Sequence, residues 1–523
     1  MHHPDSASAA PAARVTRAQF LRGLAASALS APFIARQSWC ASPDHNAAPI
    51  AAAGNPPGVA NVRDFGAKGD GVSKDHAAIQ RAIDRCAEWG GGTAWVPPGR
   101  YLCGTLVLKS HVRLYLDAGA TIAGSPDQED YRRMREGNHF YRSVPTQPVN
   151  HDQNLIVVWK ATDASIEGPG TIDARGESFY QLDKGLVPNG RRMSLLPKSW
   201  RPGAMIACMH SQGFSLSQVT LRGSPFLNVL LFGSSEIRIQ GIRIQGDHRF
   251  QTCDGIHTKA CRDITISDCQ IDAEDDCLSF YTNSWGLPDD GPDTSHVTVN
   301  NCRLSSSCCG VRIGYAGPGQ LSSMVFNNIV IKRANRGIDF ICGAFNHYQG
   351  QPCAPGPSLH DLLFSNFVIE DSNWGVSANI CHDAVAPGGI RDVHYSGMKV
   401  RSRRGNYLVG STSLALRDVS FRDVDFTVTG QVKNAPATIP EPLPMYFGGE
   451  LPCGLLLRHA TRVALRDCSI RWDGAEGPWR TGLHVVDGRA IDCRTLRVEP
   501  LRDDWESGIT RVASDVAMPP IVP

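Results

Sequence analysis

The stretch Phe250–Phe280, FQTCDGIHTKACRDITISDCQIDAEDDCLSF, decides the fold because it joins two strand-like runs. In its centre, Ile264–Ile266 and Cys269–Ile271 alternate apolar and polar side chains, as expected of strands with one buried face. Acidic residues stand near both ends of the stretch. If the chain completes one coil between these acids, they lie side by side.

Three carboxylates are the candidate catalytic residues of this stretch: Asp254, Asp275 and Asp276. If one coil separates the first from the pair, all three face one groove, and each negative charge opposes the ionisation of its neighbours. Such a site holds a protonated acid and an ionised base at the same pH. The alternative is that Asp275 and Asp276 are a solvated loop pair. The spacing to Asp254 favours a site.

Composition excludes several classes of protein. The 523 residues carry a net charge of +1, and charged residues make up 20%, so no nucleic-acid partner is expected. There is no apolar run of about 18 residues, so no membrane span is expected. Gly 51 and Pro 34 are typical of a β-rich chain with many turns. We expect a monomer.

The 17 cysteines form no CxxC pair, which gives no support to a zinc site. Cys253, Cys261, Cys269 and Cys277 recur every eight residues, as small side chains in a strand-rich core would. We predict buried free thiols in preference to disulfides. No metal and no cofactor are expected.

Residues 1–48 have the character of an export signal and leader, and 49–60 that of a linker. Arg14, Arg17 and Arg22 precede or flank a weakly apolar segment, Gly23–Ala35. The string Thr16–Arg22 resembles a twin-arginine signal, with Ala18 in place of the second arginine. The alternative is a disordered Ala-rich tail. We predict a secreted or periplasmic protein.

Residues 61–125 are predicted to form an N-terminal cap and the first coils. Apolar residues spaced as on one helix face predict a helix over Lys74–Glu88, with Ser73 as its cap. Such a helix can cover the end of a long sheet, whose edge would otherwise pair with other chains.

A short motif of alternating residues followed by turn-forming residues then recurs along the chain. Its copies begin at Phe214, Ile237, Ile264, Val297, Met324, Leu362, Val393, Val419 and Val463. Repeats at such spacing indicate a solenoid, and no helical pattern links the copies. Asn301, Asn328 and Asn366 suit tight corners, since Asn tolerates the left-handed conformation. We predict an all-β, right-handed parallel β-helix over 61–500, with 501–523 as a tail.

The chain resembles glycoside hydrolase family 28, the polygalacturonase family, from Val62 to about Arg471. The segments NVRDFGAKGDGVSKDHAAIQRAIDRC and GGGTAWVPPGRYLCG resemble the family's opening, which other β-helix sugar enzymes share. TCD at 252–254 and EDDC at 274–277 resemble its two acidic segments. The resemblance implies that Asp275 is the general acid, that Asp254 and Asp276 activate water, and that the anomeric centre inverts. Inversion leaves about 6.5–9.5 Å between acid and base.

Other positions depart from the family, which places three cations where this chain has Tyr281, Cys309 and Asp339. A substrate carboxylate is held by charge-assisted hydrogen bonds, so their loss argues against plain polygalacturonate. Asp339 is expected to repel a uronate, and Arg312 to replace one missing cation unless it is solvated.

Two aromatic residues and a histidine complete the candidates. Tyr281 and Trp285 are candidate substrate contacts through their rings, and the alternative for both is packing inside the protein. His257 is expected on the opposite face of the strand from Asp254, in a structural role.

We thus expect an inverting glycosidase acting on a pectin-type or related polysaccharide or oligosaccharide, with neutral or substituted sugars as the hypothesis for its substrate. One alternative is a polysaccharide lyase on the same scaffold, which would need calcium and a basic residue. The other is a non-catalytic glycan-binding protein.

Overall fold

The computed structural model describes residues 58–134, 152–182, 195–282, 293–315, 317–346, 351–354, 356–381, 389–433, 439–441, 443, 447–501 and 508–519. These residues fall in one compact unit, Asn55–Pro523. The expected leader, 1–48, and most of the linker lie outside the described residues. No helix in the described part of the chain is long and apolar enough to cross a membrane.

The protein is a right-handed parallel β-helix, as predicted. The coils contribute strands to three parallel ladders, and the first and last coils contribute to only two of them. Two of the ladders form one sheet, because four long strands run through both of them. These four strands are Gln320–Lys332, Ser358–Ser372, Arg391–Ser402 and Leu416–Val428.

The first ladder of this sheet contains the recurring motif. Its other strands are Val59–Asn61, Gly92–Val96, Val112–Leu116, Ser165–Glu167, Ser215–Ser217, Ser235–Gln240, Arg262–Ser267, Thr294–Asn300, Ala460–Arg466, Arg489–Asp492 and Val516–Ala517. The second ladder adds Asp70–Lys74, Gly99–Cys103, Ala120–Gly124, Thr171–Asp173, Thr220–Arg222, Arg243–Gln245, Gln270–Ala273, Arg303–Ser306, Ser469–Trp472 and Arg497–Val498.

The third ladder is a separate sheet, called here the site sheet. Its strands are β1 (Leu106–Leu108), β2 (Ile156–Trp159), β3 (Ile206–Met209), β4 (Val229–Phe232), β5 (Ile256–Lys259), β6 (Leu278–Tyr281), β7 (Cys309–Tyr315), β8 (Arg336–Cys342), β9 (Trp374–Ile380), β10 (Asn406–Val409), β11 (Cys453–Arg458), β12 (Thr481–Val486) and β13 (Ile509–Val512). Each strand pairs in parallel with the next, so neighbouring coils stack directly.

Smaller elements decorate the solenoid. Two antiparallel hairpins pair Tyr180–Leu182 with Leu195–Pro197, and Ala344–Asn346 with Gln351–Ala354. Short 3₁₀ turns occur at Val62–Phe65, Gln128–Asp130 and Gly176–Phe179.

The predicted helix is present as α1 (His76–Glu88), and it buries the expected apolar face. Its cap differs from the prediction, because Ser73 lies in a strand and donates to Asp70. Asp75 occupies the N-cap position, but its carboxylate accepts from the backbone of Lys68 and Gly69 instead.

The recurring motif forms the stacked core of the solenoid. Inward-facing residues of successive coils lie in register, and Phe326, Phe364, Tyr395 and Phe421 form one continuous ring stack. Such face-to-face burial of large apolar side chains is the main favourable term for a solenoid coil.

The polar corners and the cysteines also follow the predictions. Asn301, Asn328 and Asn366 have φ of 55°, 55° and 57°, and the side chain of Asn328 donates to that of Asn301 on the preceding coil. The 15 cysteines whose side chains the structure describes, from Cys86 to Cys493, are free, buried thiols.

The boundaries of the β-helix are wider than predicted. The first strand begins at Val59, inside the expected linker. Within 501–523, expected to be a tail, Ile509–Val512 and Val516–Ala517 extend both sheets by one more coil. Their short apolar patterns gave too weak a repeat to be recognised from sequence.

Candidate active site

The three acids come from two successive coils, at the point where the chain enters the site sheet. Asp254 precedes β5, and Asp275 and Asp276 precede β6. Ile256 pairs with Leu278, which sets Asp254 level with Asp276. Gly255 allows this close stacking, because a Cβ at this position would lie 2.4 Å from the carbonyl oxygen of Cys277.

The structure brings all three carboxylates together, as predicted. One oxygen from each of Asp254, Asp275 and Asp276 lies within 4.8 Å of the others. Asp254 and Asp276 are only 3% and 4% exposed, whereas Asp275 is half-buried. Asp275 is therefore the carboxylate of the three that solvent reaches best.

The nearest oxygens lie closer together than the gap of about 6.5–9.5 Å expected between the carboxyl groups of an inverting enzyme. The spacing of 4.8 Å or less is that of one oxygen from each carboxylate, whereas the expected gap refers to whole carboxyl groups. Inversion stays a prediction, and the anomer released first is the measurement that decides it.

Asp276 is held as an anion by an arginine. Arg312 Nε lies 3.0 Å from one carboxylate oxygen, and the Tyr281 hydroxyl donates to the same oxygen at 3.0 Å. Burial alone raises the pKa of Asp276, but the charge of Arg312 and hydrogen bonds from Arg312, Cys308 and Tyr281 outweigh it and lower the pKa. Asp276 is thus held in the ionised form, which is the form that can accept a proton.

Asp254 has the opposite electrostatic character. Burial raises its pKa well above the usual value, and the negative charge of Asp276 raises it further. Its carboxylate lies 2.6 Å from His257 Nδ1 and accepts from the Ser279 hydroxyl at 3.1 Å. Burial and the nearby Lys259 lower the pKa of His257 well below its usual value.

His257 lies on the same side as Asp254, contrary to the prediction. The alternation rule applies within a regular strand, but Asp254 precedes β5 and the chain turns at Gly255 before the strand begins. His257 therefore positions Asp254.

Lys259 is a further residue of the site that sequence analysis missed. It is 6% exposed, and its Nζ lies 5.7 Å from the centre of the Tyr281 ring. Burial lowers its pKa to about 7, although the charge of Asp254 raises it in part. The lone lysine within a strand-like pattern gave no signal of this environment.

Arg312 and Asp339 are in the site sheet but are engaged with each other. Both lie on the face turned away from the core, in adjacent strands β7 and β8. Arg312 is ion-paired with Asp276 and Asp339, and Arg336 Nε lies 3.5 Å from Asp339. The Ser377 hydroxyl also donates to Asp339.

These contacts correct two expectations. Asp339 is only 1% exposed and is neutralised by two arginines, so it does not present a repelling charge to a substrate. Arg312 is 2% exposed, which contradicts a solvated position, and its guanidinium is committed to protein carboxylates. The pairing arises from strand register that sequence alone did not specify.

Of the three remaining candidates, two contact other groups of the protein, and the third lies in a part of the chain that the structure does not describe. Cys309 is fully buried, and its Sγ lies 2.8 Å from Arg312 Nη2, so it supports the arginine. Tyr281 is 9% exposed, and its hydroxyl is used by Asp276. Trp285 lies outside the described residues.

In the part of the chain that the structure describes, two groups of side chains are close enough to hold a metal ion: the three acids, and Asp276 with Cys308 and Cys309. Arg312 already places a positive charge against Asp276 and both thiols. A cation in the second group would be repelled by the guanidinium.

The fold and the acid cluster are those of a β-helix protein with a candidate active site of three carboxylates. Comparisons with known proteins find similar β-helix enzymes that act on polysaccharides. Residues 59–145 match a family described as "Rhamnogalacturonase A/epimerase, pectate lyase-like". A "Probable polygalacturonase" from Vitis vinifera is 26% identical over 392 residues, which are 72% of this chain and 76% of that protein.

Solved structures of similar fold include two exopolygalacturonases. The enzyme from Thermotoga maritima is 20% identical with a TM-score of 0.56, covering 72% of this chain and 88% of that one. The enzyme from Yersinia enterocolitica is 17% identical with a TM-score of 0.53, covering 88% and 78%. The polygalacturonase relative agrees with the resemblance to glycoside hydrolase family 28, and the solved structures support the β-helix fold.

The raised pKa of Asp254 predicts a pH-dependent stability. Between the unfolded value, 3.8, and the higher folded value, the folded state binds the extra proton, so this group's contribution to stability falls as pH rises. Asp254→Asn cannot titrate. Relative to wild type it should gain up to about 1.4 kcal/mol per pH unit above about pH 4. Urea unfolding of both proteins from acid to neutral pH measures the difference, and a constant difference contradicts the assignment.

Proposed function

We propose that the protein is a glycoside hydrolase that cleaves a pectin-type polysaccharide by acid–base catalysis at three aspartates. The observation that carries the proposal is the convergence of Asp254, Asp275 and Asp276 within 4.8 Å, with different exposure and opposite pKa shifts for the two buried members. The similarity to polygalacturonases supports a glycosidase. The predicted leader, 1–48, supports action outside the cytoplasm, and we propose a monomer.

The roles follow from exposure and charge. Asp275, half-buried, donates a proton to the leaving glycosidic oxygen as the bond to the anomeric carbon breaks. Asp276, held ionised by Arg312, accepts a proton from the water that attacks the anomeric carbon. Asp254 hydrogen-bonds that water and keeps it in line. Both proton transfers are thus supplied by carboxyl groups, and the product has the inverted configuration.

The engaged arginines favour a sugar without a carboxylate next to the cleavage site. Arg312 and Arg336 already pair with protein carboxylates, and a substrate carboxylate would have to compete with Asp276 and Asp339. Lys259, with a pKa of about 7, carries only part of a charge at neutral pH. We infer a neutral or substituted sugar at this position, such as rhamnose or a decorated pectic residue.

A panel of glycans tests both parts of the proposal. We expect cleavage of rhamnose-containing or substituted pectic chains at least about tenfold faster than of unsubstituted polygalacturonate, which corresponds to about 1.4 kcal/mol of transition-state discrimination. Reducing ends measured over time give the rates, and proton NMR of the first product gives its anomer. Efficient cleavage of unsubstituted polygalacturonate overturns the substrate assignment. An unsaturated, ultraviolet-absorbing product would instead identify a lyase.

A further inference from the structure

An open depression lies on the flank of the solenoid, where the chain leaves the second ladder and turns towards the site sheet. We call it the flank depression. It encloses about 480 Å³, within the range of about 300–1,000 Å³ that small-molecule sites occupy. Its lining includes the side chains of Asp173, Glu177, Arg222, Gln245, His248 and Arg249. Those of Arg222 and Arg249 are 47% and 59% exposed, so solvent and ligands reach it.

Strand register places three of these side chains in one row. Asp173 pairs with Arg222 on the next coil, and Arg222 pairs with Gln245 on the coil after that. Each follows a buried aliphatic residue in its strand, so its side chain points outward. Gly246 comes next, and a Cβ there would lie 2.6 Å from the carbonyl oxygen of Asp272. The floor of the depression therefore carries no side chain at this position.

The charged side chains of the wall hold one another in place. Arg222 Nη2 and Arg100 Nη2 lie 3.0 and 3.4 Å from the same oxygen of Asp173. Arg249 Nε donates to Asp247 at 2.9 Å, and this contact lowers the pKa of Asp247. Side chains that already occupy their bound positions lose little conformational entropy when a ligand arrives, which favours binding.

His248 is fixed at the rim of the depression. Its Nδ1 lies 2.8 Å from the Ser307 hydroxyl oxygen, and its Nε2 lies 3.0 Å from a carboxylate oxygen of Asp272. The hydrogen bond to Asp272 raises the pKa of His248, because it favours the charged imidazolium. Both contacts cross to later coils, so they tie the loop that carries His248 to the solenoid and fix its position.

Three groups of the lining retain unused hydrogen-bonding capacity. Among the described residues, the Gln245 amide has no hydrogen-bond partner, and the Glu177 carboxylate accepts no hydrogen bond. Arg222 donates one of its five N–H groups, to Asp173. An amide, a carboxylate and a guanidinium together offer donors and acceptors. Neighbouring hydroxyl groups of a sugar match this pattern, since each hydroxyl both donates and accepts.

The balance of charge indicates an uncharged ligand. An anion in the depression would lie close to Asp173, Glu177 and Asp247, and a cation would lie close to Arg222 and Arg249. Either ion would be attracted by one set of groups and repelled by the other. A polyhydroxylated molecule can hydrogen-bond to both kinds of group without a net charge of its own.

We propose that the flank depression is a second carbohydrate site, which binds uncharged sugar residues of a pectic polysaccharide. The choice of ligand rests on the proposed function, whereas the site itself uses none of the three catalytic carboxylates. Gln245 leads within the same coil to Asp254, so a polymer held in the depression has its other segments at a raised local concentration near the acids. The site thus adds affinity for long chains without taking part in bond cleavage.

Isothermal titration calorimetry with neutral galactan and arabinan oligosaccharides tests the proposal. Wild type should bind at least one of them, with the same affinity at low and high salt. Arg222→Met and Gln245→Ala should each weaken the affinity by about tenfold, because each removes hydrogen bonds to the ligand. Arg243→Met and Gln270→Ala are the matched controls on the same ladder. Both positions are exposed and lie outside the depression, so these variants should bind as wild type does.

Chemical protection locates the bound sugar. Phenylglyoxal modifies exposed arginines, and the oligosaccharide should protect Arg222 and Arg249 but not Arg243, as measured by mass spectrometry of peptides. Absence of binding, unchanged affinity in folded Arg222→Met and Gln245→Ala, or stronger binding of an oligogalacturonate overturns the inference. Cleavage is measured separately. A protein that binds these oligosaccharides in the depression but cleaves no glycan keeps this site and loses the proposed function, and one that cleaves without this binding loses only the site.

Discussion

Asp275→Asn is expected to lower kcat by about 10²–10⁴-fold, the range that a general acid contributes, while KM changes little. The amide keeps the size of the side chain but supplies no acidic proton to the leaving oxygen. Half-burial suits this role, because the group must reach the substrate while Asp254 and Asp276 lie beneath it. Steady-state kinetics on the best glycan of the panel provide the measurement.

The matched control for this variant is Asp263→Asn, on the coil between the acids. Asp263 is exposed and has φ of 58°, a backbone conformation that Asn tolerates. Its kinetics should equal those of wild type. If folded Asp275→Asn retains more than about a tenth of wild-type kcat, Asp275 is not the general acid.

Arg312→Met should reduce the free energy of unfolding by about 3–5 kcal/mol, because it leaves buried carboxylates without their main cation. Arg312 side-chain exposure is 3%, and those of Asp276 and Asp339 are 5% and 2%, so bulk solvent compensates little for the lost partner. Urea unfolding measures the effect. Arg262→Met, whose side chain is 64% exposed, is the control and should stay within about 0.5 kcal/mol of wild type.

A second substitution separates the loss of pairing from the loss of packing. Adding Asp276→Asn to Arg312→Met removes the unpaired charge, so the double variant should recover part of the lost stability. A double variant no more stable than Arg312→Met would show that the arginine contributes through packing instead.

The fold was predictable because the inward-facing apolar residues recur with the repeat. Residues at equivalent positions of the motif, such as Ile264, Val297 and Met324, stack in register along the core. The corner residue Asn328 was predictable from its local chemistry. The final coil was missed because its strands are short, and the helix cap because Asp75 is recruited by the preceding loop.

The acids were predictable from spacing, but their environment was not. One coil between Asp254 and Asp276 follows from the repeat, whereas the partners of these acids depend on which residues strand register brings level. Arg312 pairs in register with Asp339 on the next coil, and no local pattern in the sequence announces that pair. His257 was misplaced because a turn interrupts the alternation that the prediction assumed.

Asp276, Arg312, Asp339 and Arg336 form a buried row of alternating charges, which affects how the protein responds to high ionic strength. Mobile ions screen exposed charges over about 10 Å at 0.1 M salt, but they screen buried pairs much less. The ionised state of Asp276 should therefore persist in concentrated salt. If turnover of an anionic polymer falls in concentrated salt, the cause is weaker electrostatic attraction of that polymer to the protein surface. Turnover of a neutral polymer should be the same at low and high salt.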